Sequence, residues 1–345
     1  MKLRRKLMAI PVLALTGLAA AACSSSGSSS SGSAPASSAS ASASASSSVN
    51  LSSVTLNVGD QKGTGAEALL KAAGLLNTFP FKVTWADFTS GPPILEAASS
   101  GSIDIGGVGD APPVFAASGG EGIVVVGART VPSGDQDAVV VPKGSPITSV
   151  SQLKGKKIAY GTGSSANYQL LTVLNAAGLT SKQVTLVSLQ PAEALAAFTS
   201  GSVDAWDIWP PYIQQVVAQD GAKILAEGSQ YGSPYSFEVA SKSAVANPEK
   251  AAAIQAYLTT LDKAYVWAEK NPNVWGAAWA TAAGLPASIT DAAAKVDYTV
   301  PVPITSAVTA SLQGLVTQFY KAGQIPNDVN MTNFVTTQFN SSVGS

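Results

Sequence analysis

The sequence of 345 residues contains no histidine and a single cysteine, Cys23. Without histidine there is no Ser-His-Asp triad and no imidazole to ligate a metal. With its only thiol near the N-terminus, the folded part has no cysteine nucleophile and no Cys-rich zinc site. Carboxylate chemistry and a Ser-Lys pair survive these exclusions, so binding is favoured over catalysis. Neither a metal nor a cofactor is implied. Arginine is also scarce: Arg4, Arg5 and Arg129 are the whole supply. A planar carboxylate is most often gripped by an arginine fork, so an anion here would be held another way.

What is present at the N-terminus is a targeting pattern. MKLRRK is basic, LMAIPVLALTGLAAAA is apolar, and Cys23 follows three alanines. The apolar run is too short for a comfortable membrane span. Residues 1–23 resemble a bacterial lipoprotein signal in which Cys23 is lipidated; simple secretory cleavage near Ala22 is the alternative. Removing the signal takes Lys2, Arg4, Arg5 and Lys6. The 20 basic residues become 16 against 21 acidic ones, a net charge of −5. Nucleic acid is a poor partner for such a chain, because phosphate neutralisation needs a basic face.

Residues 24–50 are low-complexity Ser, Ala and Gly, with no apolar face from which to build a core. They read as a flexible tether. Globular sequence starts near Leu51, with length enough for two α/β domains. Strand-like and helix-like runs alternate: TLNVG (55–59), 65–76, FKVTWADF (81–88), 92–101, IDIGGVG (103–109), 111–120 and IVVVGA (123–128). That pattern predicts an open parallel sheet flanked by helices. After DAVVVPKG (137–144) a second series runs from KIAYG (157–161) to AKILAEG (222–228). The segments LEAASSGSIDIGGVG (95–109) and LAAFTSGSVDAWDIW (195–209) echo each other across 100 residues. Two similar lobes are expected, with ligands at the carboxyl ends of their strands. From residue 248 the chain turns helical, which predicts packing around the first lobe.

Four strand ends run into Gly- or Ser-bearing turns ahead of helices: 61–65, 89–92, 109–112 and 161–165. YGTGSS (160–165) lacks the Gly-Lys-Ser/Thr of a P-loop and the glycine spacing of a dinucleotide fold. Ser164 or Ser165 caps the following helix on the plainest reading. Lys62 in QKGTG is either an anion partner or a solvated loop charge. Taken together, the four turns predict a cleft rimmed by backbone donors, a host for a small oxyanion. VDAWDIWPPY (203–212) adds Trp206, Asp207, Trp209 and Tyr212. Either tryptophan packs in a core, or an aromatic wall and one polar anchor face a ligand.

The runs QKGTG, FTSGPPILEA, GSIDIGGVGDAPPVFA, SPITSVSQLKGKKIAYGTGSS and LAAFTSGSVDAWDIWPPY together resemble the aliphatic sulfonate-binding proteins of ABC importers. The likeness covers roughly residues 54–325, and nitrate-, taurine- and pyrimidine-precursor-binding proteins share the outline. It implies a type II periplasmic-binding-protein fold, α/β and two-lobed, with a cleft between two open sheets and a helical C-terminal part. Lobe 1 would be 51–138 plus 238–345 and lobe 2 139–237, with crossings near 136–140 and 236–240. The resemblance implies that Gln61, Lys62, Ser90, Gly91, Gly109, Asp110, Ala111, Gly163, Ser164, Ser165, Trp206, Asp207 and Trp209 line the cleft. It further implies a monomeric lipoprotein on the outer face of the membrane, handing a small anionic solute to a permease. A ligand sensor, or an extracellular enzyme with Asp110 or Asp207 as base, are the other readings.

Overall fold

The computed structural model describes residues 50–61, 65–134 and 136–344. The signal, Cys23, the tether up to residue 49 and Lys62 lie outside the described residues.

The chain begins β1 (Thr55–Gln61), α1 (Ala66–Ala72), β2 (Lys82–Phe88), α2 (Gly91–Ser99), β3 (Ile105–Val108), α3 (Pro112–Gly119) and β4 (Ile123–Thr130). It continues β5 (Ala138–Val141), β6 (Lys157–Tyr160), α4 (Ser165–Ala176), β7 (Thr185–Ser188), α5 (Pro191–Thr199), β8 (Ala205–Ile208), α6 (Tyr212–Asp220), β9 (Lys223–Glu227) and α7 (Gly228–Tyr231). Then come β10 (Tyr235–Ser241), α8 (Lys242–Ala246), α9 (Pro248–Lys270), α10 (Pro272–Ala283), α11 (Ala287–Val296), β11 (Val300–Val302) and α12 (Ser306–Lys321).

Two sheets result, ordered β11-β4-β10-β3-β1-β2 and β7-β6-β8-β5-β9. Both are mixed, where the sequence pattern predicted parallel pairing. β10 lies between β3 and β4 and runs antiparallel to both. β5 runs antiparallel to β8 and β9. The cause is the connectivity. The chain leaves the first sheet at the carboxyl end of β4 and returns at that same edge. A returning strand must therefore run back against its neighbours. β5 meets the same constraint on entering the second sheet, where Ala138 pairs with Ile208 at the far end of β8.

Alternation along the strands feeds two cores per sheet. In β4, Val124 and Val126 pack with Ile254, Tyr257 and Leu261 of α9. Ile123 and Val125 face the other way, toward Leu312, Val316 and Phe319 of α12. Helix α9 starts cleanly because Asn247 Oδ1 accepts from the N–H groups of Glu249 and Lys250, at 2.9 and 3.0 Å, with Pro248 in the first turn. In the second sheet Val140 and Trp206 share one core and Val139 and Val141 the other.

The internal echo has a structural meaning. Helices α2 and α5 both end in a left-handed glycine, Gly101 and Gly201. The aspartate three residues on clamps the start of the adjoining parallel strand. Asp104 Oδ2 accepts from Asn57 N–H at 2.7 Å, and Asp204 Oδ2 from Lys157 N–H at 2.8 Å. Lys250 Nζ adds a 2.5 Å ion pair to Asp104. These aspartates hold the amino ends of strands, away from the carboxyl ends where the first sheet meets the second.

Candidate functional site

At those carboxyl ends lies a cavity of about 170 Å³. Its lining comes from both sheets. Gln61, Gly107 to Gly109, Arg129, Ser236 and Glu238 belong to or adjoin the first, and Ser164, Ser165, Trp209 and Pro210 the second.

Helices α2, α3 and α4 begin at this cavity, through Gly91, Pro112 and Ser165. No side chain among the described residues caps any of the three. Elsewhere Ser241, Asn247 and Thr305 do cap α8, α9 and α12. Ser90 and Ser164 hold the cap positions of α2 and α4, yet their hydroxyls go elsewhere. Ser90 Oγ donates to Gln190 Oε1 at 3.1 Å, and Ser164 Oγ to Gly161 O at 2.7 Å. Ser165 Oγ donates to Asp137 Oδ1 at 2.8 Å. Capping by Ser164 or Ser165, the plainest expectation, does not occur. The positive ends of three helices are left facing the cavity.

The turns approach closely because two of them carry glycine. A Cβ on Gly91 would fall 2.8 Å from Pro112 Cγ, and one on Gly109 would fall 3.0 Å from Ser165 Cβ. The second contact joins a loop of the first sheet to a helix of the second.

The rim of backbone donors is thinner than expected. Pro92, Pro93, Pro112 and Pro113 carry no N–H, so α2 and α3 offer mainly their dipoles. Gly91 and Ser165, as first helical residues, keep N–H groups with no intrahelical partner. The start of α1 is satisfied from within. Asp60 takes the N–H groups of Ala66 and Glu67, at 2.7 and 3.0 Å, as well as that of Gln61. Gly65 is required there, because a Cβ would overlap the Asp60 carboxylate. Burial pushes the Asp60 carboxyl up to about 6 despite these bonds.

The floor carries charge. Arg129 Nη1 donates to Glu238 Oε1 over 2.6 Å, with both residues buried, and the guanidinium carbon sits 4.5 Å from the Tyr265 ring centre. Glu238 pairs with Gly107 on one side and Gly127 on the other, which leaves room for its side chain on the sheet. Burial raises its carboxyl above the ordinary value, and Arg129 opposes that rise. Asp297 also lines the cavity, and burial, then the charge of Asp137, pushes it up to about 8. One wall is aromatic: Trp209, Tyr265, and Trp275 and Trp279 of α10, whose rings stack at 5.4 Å.

Of the residues expected in the cleft, Gln61, Gly91, Gly109, Ser164, Ser165 and Trp209 line the cavity. Ser90, Asp110 and Ala111 are buried behind the turns. Gly163, at φ +73°, backs onto Phe115 and Pro92. Trp206 and Asp207 are not in the lining. β8 is a central strand buried on both faces. It drives the Trp206 ring between Phe198 and Tyr212. Asp207 points into the protein, where both its oxygens lack a hydrogen-bond partner among the described residues. Burial holds its carboxyl well above the usual range. Sequence reasoning missed Asp60, Arg129, Glu238, Asp297, Tyr265 and the α10 tryptophans. A lone arginine in a valine-rich strand and two tryptophans four residues apart were the available signals.

Two mixed α/β sheets, two connecting segments and a cavity at their facing strand ends make this a type II periplasmic-binding-protein fold. The chain belongs to the NMT1/THI5-like family, whose model matches residues 90–274. It is 35% identical over 285 residues to an Escherichia coli (strain K12) protein named for binding aliphatic sulfonates, covering 81% of this chain and 88% of that one. The alkanesulfonate-binding protein of Xanthomonas axonopodis pv. citri, bound to MOPS, superposes with a TM-score of 0.78 at 33% identity, over 83% of this chain and 99% of that one. The periplasmic aliphatic sulphonate-binding protein of Escherichia coli gives 0.72 at 34% identity, over 82% and 92%. Among the described residues no helix is long and apolar enough to cross a membrane, and no cluster of acidic side chains could hold a metal ion.

Proposed function

We propose that this chain captures an aliphatic sulfonate outside the cytoplasm and delivers it to the membrane subunits of an ABC importer. The observation that carries the reading is the meeting of three side-chain-uncapped helix starts, from both sheets, at one cavity beside an aromatic wall. A sulfonate stays ionised at any physiological pH and needs donors, not a proton partner. Each helix end contributes roughly 0.3–1 kcal/mol toward an anion when exposed and up to ~2 when partly buried. The aliphatic tail lies against tryptophan. Gly91 and Ser165 belong to opposite halves, so a ligand touching both stabilises the closed arrangement by differential affinity. The crossings expected near 136–140 and 236–240 fall largely within β5 and β10, so the preceding segments 131–137 and 228–234 would act as the hinge, between lobes proposed at 51–138 plus 238–345 and at 139–237 with those bounds shifted a few residues toward the N-terminus. Anchoring through lipidated Cys23, with residues 24–50 as tether, would hold a monomer near the permease.

Isothermal titration of the full chain in detergent against ethanesulfonate, nitrate, bicarbonate and an aminopyrimidine tests the ligand class. Saturable one-to-one binding of ethanesulfonate is expected. Binding of nitrate or the pyrimidine with no response to any sulfonate would overturn the reading. Palmitate labelling that is lost in Cys23→Ala is the expected signature of the anchor.

A further inference from the structure

The 100-residue echo brings equivalent positions face to face at the mouth of the cleft. Helices α2 (Gly91–Ser99) and α5 (Pro191–Thr199) are both nine residues long. Their cap residues are Ser90 and Gln190, again 100 residues apart, and these two meet. Ser90 Oγ donates to Gln190 Oε1 at 3.1 Å, and the neighbouring Thr89 Oγ1 donates to the same oxygen at 2.8 Å. Ser90 has no cap bond to make in its own helix. The second and third residues of α2 are Pro92 and Pro93, which carry no N–H. Gln190 is held from its backbone: its N–H donates to Glu193 Oε2 at 3.1 Å, and Pro191 follows.

This contact stands where opening moves the lobes furthest. Thr89 follows β2 and Gln190 follows β7, each at an edge of its sheet. The hinge segments proposed above join β4 to β5 and β9 to β10. β2 lies three strands from β10, and β7 three strands from β5, about 14 Å at ordinary strand spacing. Two further side-chain bonds join α4 to the region of α12, from Gln318 Nε2 to Tyr168 Oη and from Asn167 Nδ2 to Gln324 Oε1, both 2.9 Å. Those start from a helix tied to the hinge, since Thr172 Oγ1 donates to Tyr231 O at 2.7 Å. None of Thr89, Ser90 and Gln190 lines the cavity.

Resting on capture by lobe closure, as proposed above, we infer that Thr89, Ser90 and Gln190 form a latch that holds the cleft shut. Gln190 is a positioning residue: it acts through the lobe it holds, without touching the ligand. A bound solute leaves only when the lip opens, so the latch prolongs its stay and, by favouring the closed state, tightens binding. Both hydroxyls converge on one oxygen, so Gln190 carries the whole latch and each hydroxyl a part of it.

Stopped-flow tryptophan fluorescence of the full chain in detergent, with ethanesulfonate as probe, reads the rates. Gln190→Ala is expected to speed dissociation about fivefold, the scale of one net hydrogen bond, with association nearly unchanged. Thr89→Val is expected to speed it about twofold. The double variant should be no faster than Gln190→Ala, since both changes remove one interaction. The Thr89 and Gln190 side chains are exposed, so the ligand-free variants should melt with the wild type. Hydrogen exchange without ligand is the second arm. Peptides from 107–111 and 161–167, which meet across the lobes at Gly109 and Ser165, should exchange faster in Gln190→Ala, and those of β4 and α9 at the wild-type rate. Unchanged dissociation, or unchanged exchange at 107–111 and 161–167, would overturn the latch and leave the sulfonate reading standing. So would additive effects of the two substitutions, or a lowered melting temperature with wild-type dissociation. If the wild type binds no sulfonate, the reading above falls and the exchange arm alone decides the latch.

Discussion

The Arg129 guanidinium donates to the Glu238 carboxylate across 2.6 Å, with both residues buried in the floor of the cavity. The pair spans neighbouring strands, with Arg129 opposite Ser236 and Glu238 opposite Gly127. Gly107 stands opposite Glu238 on the other side. A Cβ at Gly107 would lie 2.8 Å from Glu238 Oε1, and the carboxylate cannot retreat without leaving its partner. Gly107→Ala is therefore expected to cost about 1–3 kcal/mol, as overpacking does, and to weaken ligand binding. Urea denaturation and calorimetry read the two effects.

Ser165 is the first residue of α4, and Ser164 before it is extended at φ −85°, ψ 171°. That geometry accepts proline at position 165. Ser165→Pro and Ser165→Ala both remove the hydroxyl bonded to Asp137, but only proline removes the N–H. Helix content should be equal in the two variants by circular dichroism. Sulfonate affinity should be roughly tenfold or more weaker in the proline variant than in the alanine one, the worth of a hydrogen bond to a charged group. Equal affinities would remove the α4 N–H from the anion site.

The two tryptophans of VDAWDIW should separate by assay. Trp206 is fully buried against Phe198 and Tyr212. Trp206→Ala is expected to cost about 3–5 kcal/mol of stability, as large cavities do. Trp209 lines the cavity and is only partly buried. Trp209→Ala is expected to lower affinity, more for long-tailed sulfonates than for short ones, with a smaller change in urea midpoint.

Stability should fall as pH rises. Asp60, Asp137 and Asp297 are pushed up from 3.8 to about 6, 7 and 8, with burial the largest cause in each. A carboxyl with a higher pKa folded than unfolded binds its proton more tightly in the native state. The native state therefore loses ground between about pH 4, the unfolded value, and about pH 8, as these groups ionise in place. The melting temperature is expected to decline from pH 5 to pH 9. Asp137 raises Asp110, Asp207 and Asp297 by its charge, so Asp137→Asn should flatten the decline. A melting temperature that climbs over this range would contradict the account.

The helix starts of the site were legible because glycine, serine and proline mark turns locally. The floor was not. Arg129 and Glu238 are 109 residues apart, and neither has a neighbour in sequence that announces the other. Trp275 and Trp279 read as packing because four-residue spacing describes a buried helix face as well as a cavity wall. Trp206 and Trp209 were indistinguishable on one strand end, since alternation tells which residues share a face but not what covers it.

The sequence by itself determined the α/β alternation, the turn before each helix and the repeated helix end with its glycine stop at Gly101 and Gly201, because these follow from backbone preferences within a few residues. Strand direction, the burial of Trp206 and the charged floor were decided only by tertiary structure. Each depends on where the chain re-enters a sheet and on which distant side chains then meet.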